Sequence, residues 1–171
     1  RKTLSSVAGQ SFKNYEHIII DGLSTDDSKN VIEEFLKNED YAHHVSFWCS
    51  EKDSGIYNAM NKGILHASGK YLLMLNSGDE LYENSLQETK KYLENNEDCV
   101  IYGAVDCYDG ESFKGTICGS AEQLDTGMIP HPASFISLSL HNQYGLYDES
   151  FKITADRALL IKLKRNSVHF T

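Results

Sequence analysis

Between residues 16 and 75 the chain alternates short apolar runs with segments of helical period, and this alternation restricts the fold more than any other feature. Residues 16–21 (EHIIID) read as a buried strand that ends in a carboxylate. Turn and cap chemistry follows at residues 24–28 (STDDS), then a helix with Val31, Ile32, Phe35 and Leu36 on one face. Residues 45–49 form a second strand, and residues 56–67 a helix with Ile56, Met60 and Ile64 at four-residue spacing. Residues 70–75 (KYLLML) make a third strand, as continuously apolar as one covered on both faces. Strand–helix–strand order requires crossover connections, so the expected fold class is α/β, with a mainly parallel sheet and helices on both faces. Ligands of such sheets sit at the carboxyl ends of the strands. Three strands end there in polar clusters (Asp21, Glu51 with Asp53, and Asn76 with Asp79), and all three should open on one edge.

Past residue 79 the pattern changes. A helix opens with the capping box Ser85-x-x-Glu88, carrying Leu86 and Leu93 inward. Residues 99–108 and 112–118 read as a hairpin about Asp109-Gly110. A last helix starts near Asp156, carries Leu159, Leu160 and Leu163, and ends in Lys162, Lys164 and Arg165, which suits its C-terminal dipole. At 171 residues the chain fits one domain, and its 2 prolines argue against long disordered linkers. A net charge of −9 repels a phosphate backbone, so no nucleic acid partner is expected; small anions can still be held by a cation or a helix N-terminus. The four cysteines show no C-x-x-C. Two-residue turn register sets Cys107 opposite Ser112, not Cys118, so neither a disulfide framework nor a zinc site is expected, and a reducing compartment fits better. The longest apolar stretch, residues 71–75, is too short to span a bilayer, and no signal peptide is visible in a chain that starts at Arg1.

Each polar cluster has a plain and a chemical reading. Asp21-Gly22 is a strand-ending turn or a hydrogen-bond acceptor for a nucleobase, and Ser24 is a cap or part of the same site. Asp53, in Glu51-x-Asp53-x-Gly55, caps the following helix or joins its free N–H groups in holding a ligand. Asn61 and Lys62 lie two turns on, where Lys62 is a solvated residue or a phosphate contact. Asp79, just past an apolar strand in a glycine-containing turn, is placed to ligate Mg²⁺ or Mn²⁺ with phosphate oxygens completing the shell. Asp156 is an N-cap or a general base. His131, between Pro130 and Pro132, is a loop residue that can contact an acceptor, a diphosphate or a metal.

Read together, these segments resemble family 2 glycosyltransferases of the GT-A fold. The matching pieces begin with Lys2-Thr3-Leu4, Gln10-Ser11-Phe12 and Ile19-Ile20-Asp21-Gly22-x-Ser24-Thr25-Asp26. They continue with Ser50-Glu51-x-Asp53-x-Gly55-Ile56-Tyr57-Asn58-Ala59-Met60-Asn61-Lys62-Gly63 and Leu75-Asn76-Ser77-Gly78-Asp79. His131-Pro132-Ala133 and Thr154-Ala155-Asp156 complete the set, which covers nearly the whole chain. The Asn-Ser-Gly-Asp version is similar to the bacterial colanic-acid and exopolysaccharide subgroup. The resemblance implies a UDP- or GDP-sugar donor bound by Asp21, Gly22, Ser24, Asp53, Gly55, Asn61, Lys62 and Asn76. It implies Asp79 as the ligand of Mn²⁺ or Mg²⁺, Asp156 as the base, and His131 at the acceptor or diphosphate. The acceptor would be a glycan or a lipid-linked glycan in surface polysaccharide synthesis, and the transfer inverting. The setting would be cytoplasmic, with peripheral contact at the inner membrane.

Two departures accompany the resemblance. Asn76 and Gly78 stand where the family is often acidic, and the family's usual first strand has no counterpart before Arg1. The expectation is one GT-A domain over residues 1–171, shortened at both ends, with a donor half over about residues 1–103 and an acceptor half over about 104–171. The competing readings are a sugar nucleotidyltransferase and a non-catalytic nucleotide-sugar or glycan-binding module.

Overall fold

The computed structural model describes residues 1–95 and 98–171. In chain order its elements are α1 (Lys2–Ala8), β1 (His17–Asp21), α2 (Ser28–Phe35), α3 (Glu39–Ala42), β2 (Val45–Ser50), α4 (Ile56–His66), β3 (Tyr71–Leu73) and α5 (Ser85–Asn95). They continue with β4 (Cys99–Tyr102), β5 (Ala104–Asp109), β6 (Ser112–Cys118), a 3₁₀ turn (His131–Ala133), β7 (Ser134–Ser137), α6 (Leu138–Tyr144), α7 (Ala155–Arg165) and β8 (His169–Phe170). The α/β class is as expected.

The sheets are mixed rather than mainly parallel. β1 and β2 pair in parallel, with Asp21 beside Ser50, as a crossover through α2 and α3 requires. The four-stranded sheet runs β3-β7-β4-β8, and β7 is antiparallel to both β3 and β4. Only the β4–β8 pair in it is parallel. The four residues of β7, SFIS, are too few to register as a period against the turn residues before them. β7 also lies between β3 and β4, so both sequence halves contribute to one sheet.

Other local expectations shift for identifiable reasons. α4 buries Tyr57, Met60, Asn61 and Ile64, while Ile56 stays 46% exposed, because the inward stripe starts one residue later. The capping box at Ser85 does not form. Ser85 Oγ donates to the Tyr82 carbonyl, and the Leu86 N–H is satisfied by Oε1 of the buried Gln10. The hairpin turns at Gly110-Glu111, and a register shift sets Cys107 opposite Gly115 and Ala104 opposite Cys118. All four cysteines are nevertheless free thiols. The long strand expected over 99–108 breaks at Gly103, whose N–H donates to the Ala133 carbonyl.

The core lies where α4, α6 and α7 meet the four-stranded sheet. Met60 and Ile64 pack with Val100, Ile136, Leu140, Leu159, Leu160 and Leu163. The β1–β2 pair joins this body through α4, which packs on β1. At the opposite end of β1 one carboxylate ties three segments: Glu16 accepts from the N–H groups of Ser68 and Gly69, each at 2.7 Å, and from the Ser46 hydroxyl at 3.0 Å. Burial alone would raise the pKa of Glu16, but these donors outweigh it and hold the carboxyl below its ordinary value. Among the described residues no helix is long and apolar enough to cross a membrane.

His17, at the start of β1, carries a pH dependence. Burial, with the nearby His44 adding like charge, pushes its pKa from 6.5 down to about 4. The folded chain therefore holds the ring neutral while the unfolded chain takes up a proton near 6.5, so stability present above that pH is lost as pH falls toward 4. Urea midpoints measured across this window should fall, and fall less steeply in His17→Phe; identical slopes would remove His17 as the cause.

Candidate functional site

Two clusters of polar side chains form near the N-terminus of α4. The first gathers around Asp21, at the carboxyl end of β1. Asp21 is 6% exposed and accepts from the Ser24 N–H at 3.1 Å, from the Ser24 hydroxyl, and from the Ser50 hydroxyl at 2.6 Å. Burial pushes its pKa up, but the Ser24 and Ser50 hydroxyls and the N–H groups of Ser24 and Leu23 pull harder and hold it low. Ser24 thus serves Asp21 directly. Gly22 lets the chain pass against Asp53: a Cβ there would sit 2.2 Å from Asp53 Oδ2. The sequence separation of thirty-odd residues closes at this point.

Asp53 accepts from the Gly55 N–H at 3.0 Å, and Gly55, at φ 136°, is the N-cap of α4. That backbone angle suits glycine alone. No side chain caps α4, so its first turn keeps N–H groups available beside Asp21 and Asp53. Lys62 pairs with Glu51 at 2.7 Å and donates to the Lys52 carbonyl, which places a cation at the margin of this cluster.

The second cluster centres on Asp156. It sits in the first turn of α7, but the N-cap is Thr154, held at φ 73°, a left-handed angle that costs a β-branched residue on the order of 1–3 kcal/mol. The Asp156 carboxylate instead accepts from the Tyr57 hydroxyl, 2.9 Å from Oδ1, while Oδ2 lies 3.8 Å from His131 Nδ1. His131 Nε2 in turn lies 2.9 Å from Asn76 Nδ2. Chain segments 76, 131 and 156 are thereby brought together. Asp79 occupies the turn after Asn76, donating its N–H to the Asn76 carbonyl, and is half-buried. Its carboxylate has no hydrogen-bond or ion-pair partner among the described residues. α1 braces this turn, with Thr3 Oγ1 accepting from the Gly78 N–H and Ser6 Oγ from the Leu81 N–H.

Behind Asp156 lies a cavity of about 10 Å³, lined in part by His131, His141 and Tyr147. That volume holds about one water.

Asn61 is engaged within the protein. It is 4% exposed; its Nδ2 donates to the Tyr147 carbonyl and to Glu149 Oε1, and its Oδ1 accepts the Tyr147 N–H, all at 2.9 Å. With its amide committed to the loop before α7, Asn61 clamps that loop to α4. Glu149, which the sequence does not single out, also accepts from Asn58 at 2.9 Å and from Ser54 at 3.2 Å. Its place in an ordinary polar loop leaves no local signal. Tyr57 was equally hidden, because an aromatic on a helix reads as core.

The chain matches the family described as glycosyl transferase family 2 over residues 1–152. It belongs to that family. The chain is 32% identical over 169 residues to an "Uncharacterized glycosyltransferase" of Mycobacterium tuberculosis, a match covering 95% of this chain and 62% of the relative. It is 30% identical over 161 residues to a "PGL/p-HBAD biosynthesis glycosyltransferase" of Mycobacterium bovis, covering 90% and 59%. The chain therefore spans about three fifths of the length of these curated relatives. Among solved structures, S. aureus TarS 1–349 in complex with UDP superposes with a TM-score of 0.74 at 18% identity, covering 94% of this chain and 49% of that one. A second TarS structure, in complex with UDP-GlcNAc, gives 0.73 at 17% identity, covering 94% and 48%. The fold is GT-A.

Asn61→Ala removes three hydrogen bonds and strands the Tyr147 backbone, so the expected loss is on the order of 3 kcal/mol in urea unfolding. An unchanged midpoint would mean that the clamp carries no weight.

Proposed function

We propose that this transferase moves a sugar, with inversion, from a UDP- or GDP-sugar to a hydroxyl of a glycan or lipid-linked acceptor in surface polysaccharide synthesis. The observation that carries this reading is the Asp156 carboxylate, 15% exposed, held by Tyr57 and aimed toward His131 beside the Asn76–Asp79 turn. Asp156 takes the proton of the acceptor hydroxyl as that oxygen attacks the anomeric carbon. The bond to the nucleoside diphosphate breaks on the opposite face, and its electron pair leaves with the phosphate. A single displacement inverts the anomeric carbon without a covalent enzyme intermediate.

The first cluster supports the nucleotide end of the donor. Asp21 and Asp53 fix the loop under the uncapped first turn of α4, whose N–H groups suit an anion. Lys62 and Gly55 border the same turn, and Ser24 keeps Asp21 in place.

Asp79 and the Asn76 side-chain oxygen are the protein groups that would hold Mn²⁺ or Mg²⁺. Among the described residues no three His, Cys, Asp or Glu side chains form a cation cage. The partner-free Asp79 carboxylate therefore fits a cation that draws most of its ligands from diphosphate and water, as Mg²⁺ ordinarily does. Such a cation would neutralise charge on the leaving diphosphate. A lipid-linked acceptor places the reaction at the cytoplasmic face of the inner membrane.

Titration calorimetry with a panel of UDP- and GDP-sugars, with and without Mn²⁺, tests this reading. Asp79→Ala should weaken Mn²⁺-dependent donor binding about 10-fold or more, whereas Asp156→Asn should leave binding intact and slow turnover by roughly 10²–10⁴-fold. Donor affinity independent of Mn²⁺ in wild type and Asp79→Ala alike would overturn the metal assignment. Tight donor binding without turnover in wild type would favour a binding module.

A further inference from the structure

We infer that Tyr57 is a positioning residue for Asp156, holding Oδ1 so that Oδ2 is the oxygen that receives the acceptor proton. The inference rests on the transferase reading above.

Three observations converge on it. The Tyr57 hydroxyl donates to Asp156 Oδ1 at 2.9 Å, linking residues 99 positions apart in the chain. The ring is 7% exposed and packs against Tyr147, centroid to centroid 5.7 Å. Tyr147 is itself fixed through both backbone groups by Asn61. A tyrosine has only two side-chain torsions that place its ring, so these contacts leave the hydroxyl little freedom. Burial, then the hydrogen bond and charge of Asp156, raise the Tyr57 pKa above its ordinary 10, so the phenol stays a donor at neutral pH.

The two carboxylate oxygens are consequently unequal. Oδ1 is permanently donated to. Oδ2 faces His131 Nδ1 across 3.8 Å, too far for a full hydrogen bond. As the acceptor oxygen bonds to the anomeric carbon, its proton passes to Oδ2, and the carboxylate becomes a neutral acid still anchored at Oδ1. Without Tyr57 the carboxylate can rotate about its Cβ–Cγ bond and lose its aim.

Tyr57→Phe keeps the ring and removes only the hydroxyl. Release of nucleoside diphosphate from UDP-GlcNAc, UDP-glucose and GDP-mannose is measured against pH, with acceptor glycans in parallel. For the variant, kcat should fall between about 10- and 100-fold, with the donor KM within about twofold, and the acid limb of the pH profile should move. In the Asp156→Asn background the same substitution should add no further loss. Unchanged kcat and pH profile in Tyr57→Phe, while wild type is active, would overturn the inference alone. Wild type inactive on every donor would overturn the transferase reading and this role with it. Carbon-13 NMR of ζ-labelled tyrosine tests the contact without any substrate. Tyr57 should ionise above 10 in wild type and move back toward 10 in Asp156→Asn. No movement would mean that the hydrogen bond is absent in solution.

Discussion

The exchange of hydrogen bonds between Asn61 and both backbone groups of Tyr147 is the constraint on which the rest of the molecule depends. It is buried, so leaving either partner unpaired costs the full desolvation of that group. Through it, α4 captures the loop that leads into α7. That capture sets Tyr147 against Tyr57 and delivers Asp156 to the Tyr57 hydroxyl. Glu149 repeats the same connection nearer the surface, through Ser54, Asn58 and Asn61, and these donors keep its carboxyl ionised to lower pH than usual. One helix therefore organises both clusters: its N-terminus borders Asp53, and its second residue holds Asp156.

Electrostatics divides the carboxylates by job. A chain of net charge −9 cannot attract an anionic donor by its overall field. Asp21 is screened by hydroxyls and N–H groups, and Glu51 is neutralised by Lys62, so neither presents a bare charge. Asp79 is the exception. Among the described residues its carboxylate has no hydrogen-bond or ion-pair partner. Asp156 lies between these extremes, with one oxygen engaged and one nearly free.

Much of this was legible from the amino acids. The alternation of apolar runs located β1, β2, β3 and α4, and it set Asp21 and Asp53 on one edge, where Gly22 meets Asp53. What the sequence hid was of two kinds. Short elements such as β7, with two apolar residues, give no period to read, and so the antiparallel insertion at the sheet centre was missed. Roles decided by a distant partner were hidden as well. Asn61 carries the same side chain whether it meets a donor or a loop, and only the arrival of Tyr147 decides. The phase of α4 falls between these cases: Ile56, Met60 and Ile64 stand at four-residue spacing, yet the buried face begins at Tyr57.

The split of the strands into separate ladders has a thermodynamic consequence. β1 and β2 share no backbone hydrogen bonds with β3, β7, β4 and β8 among the described residues. Their attachment runs through side chains, chiefly α4 packing on β1 and the Glu16 tie. Such a pair can open as a sub-global unit while the buried core around Leu160 and Leu163 remains folded. Cooperativity in this chain is thus weakest between the β1–β2 pair and the body built on the four-stranded sheet, and amide protection should grade across that seam.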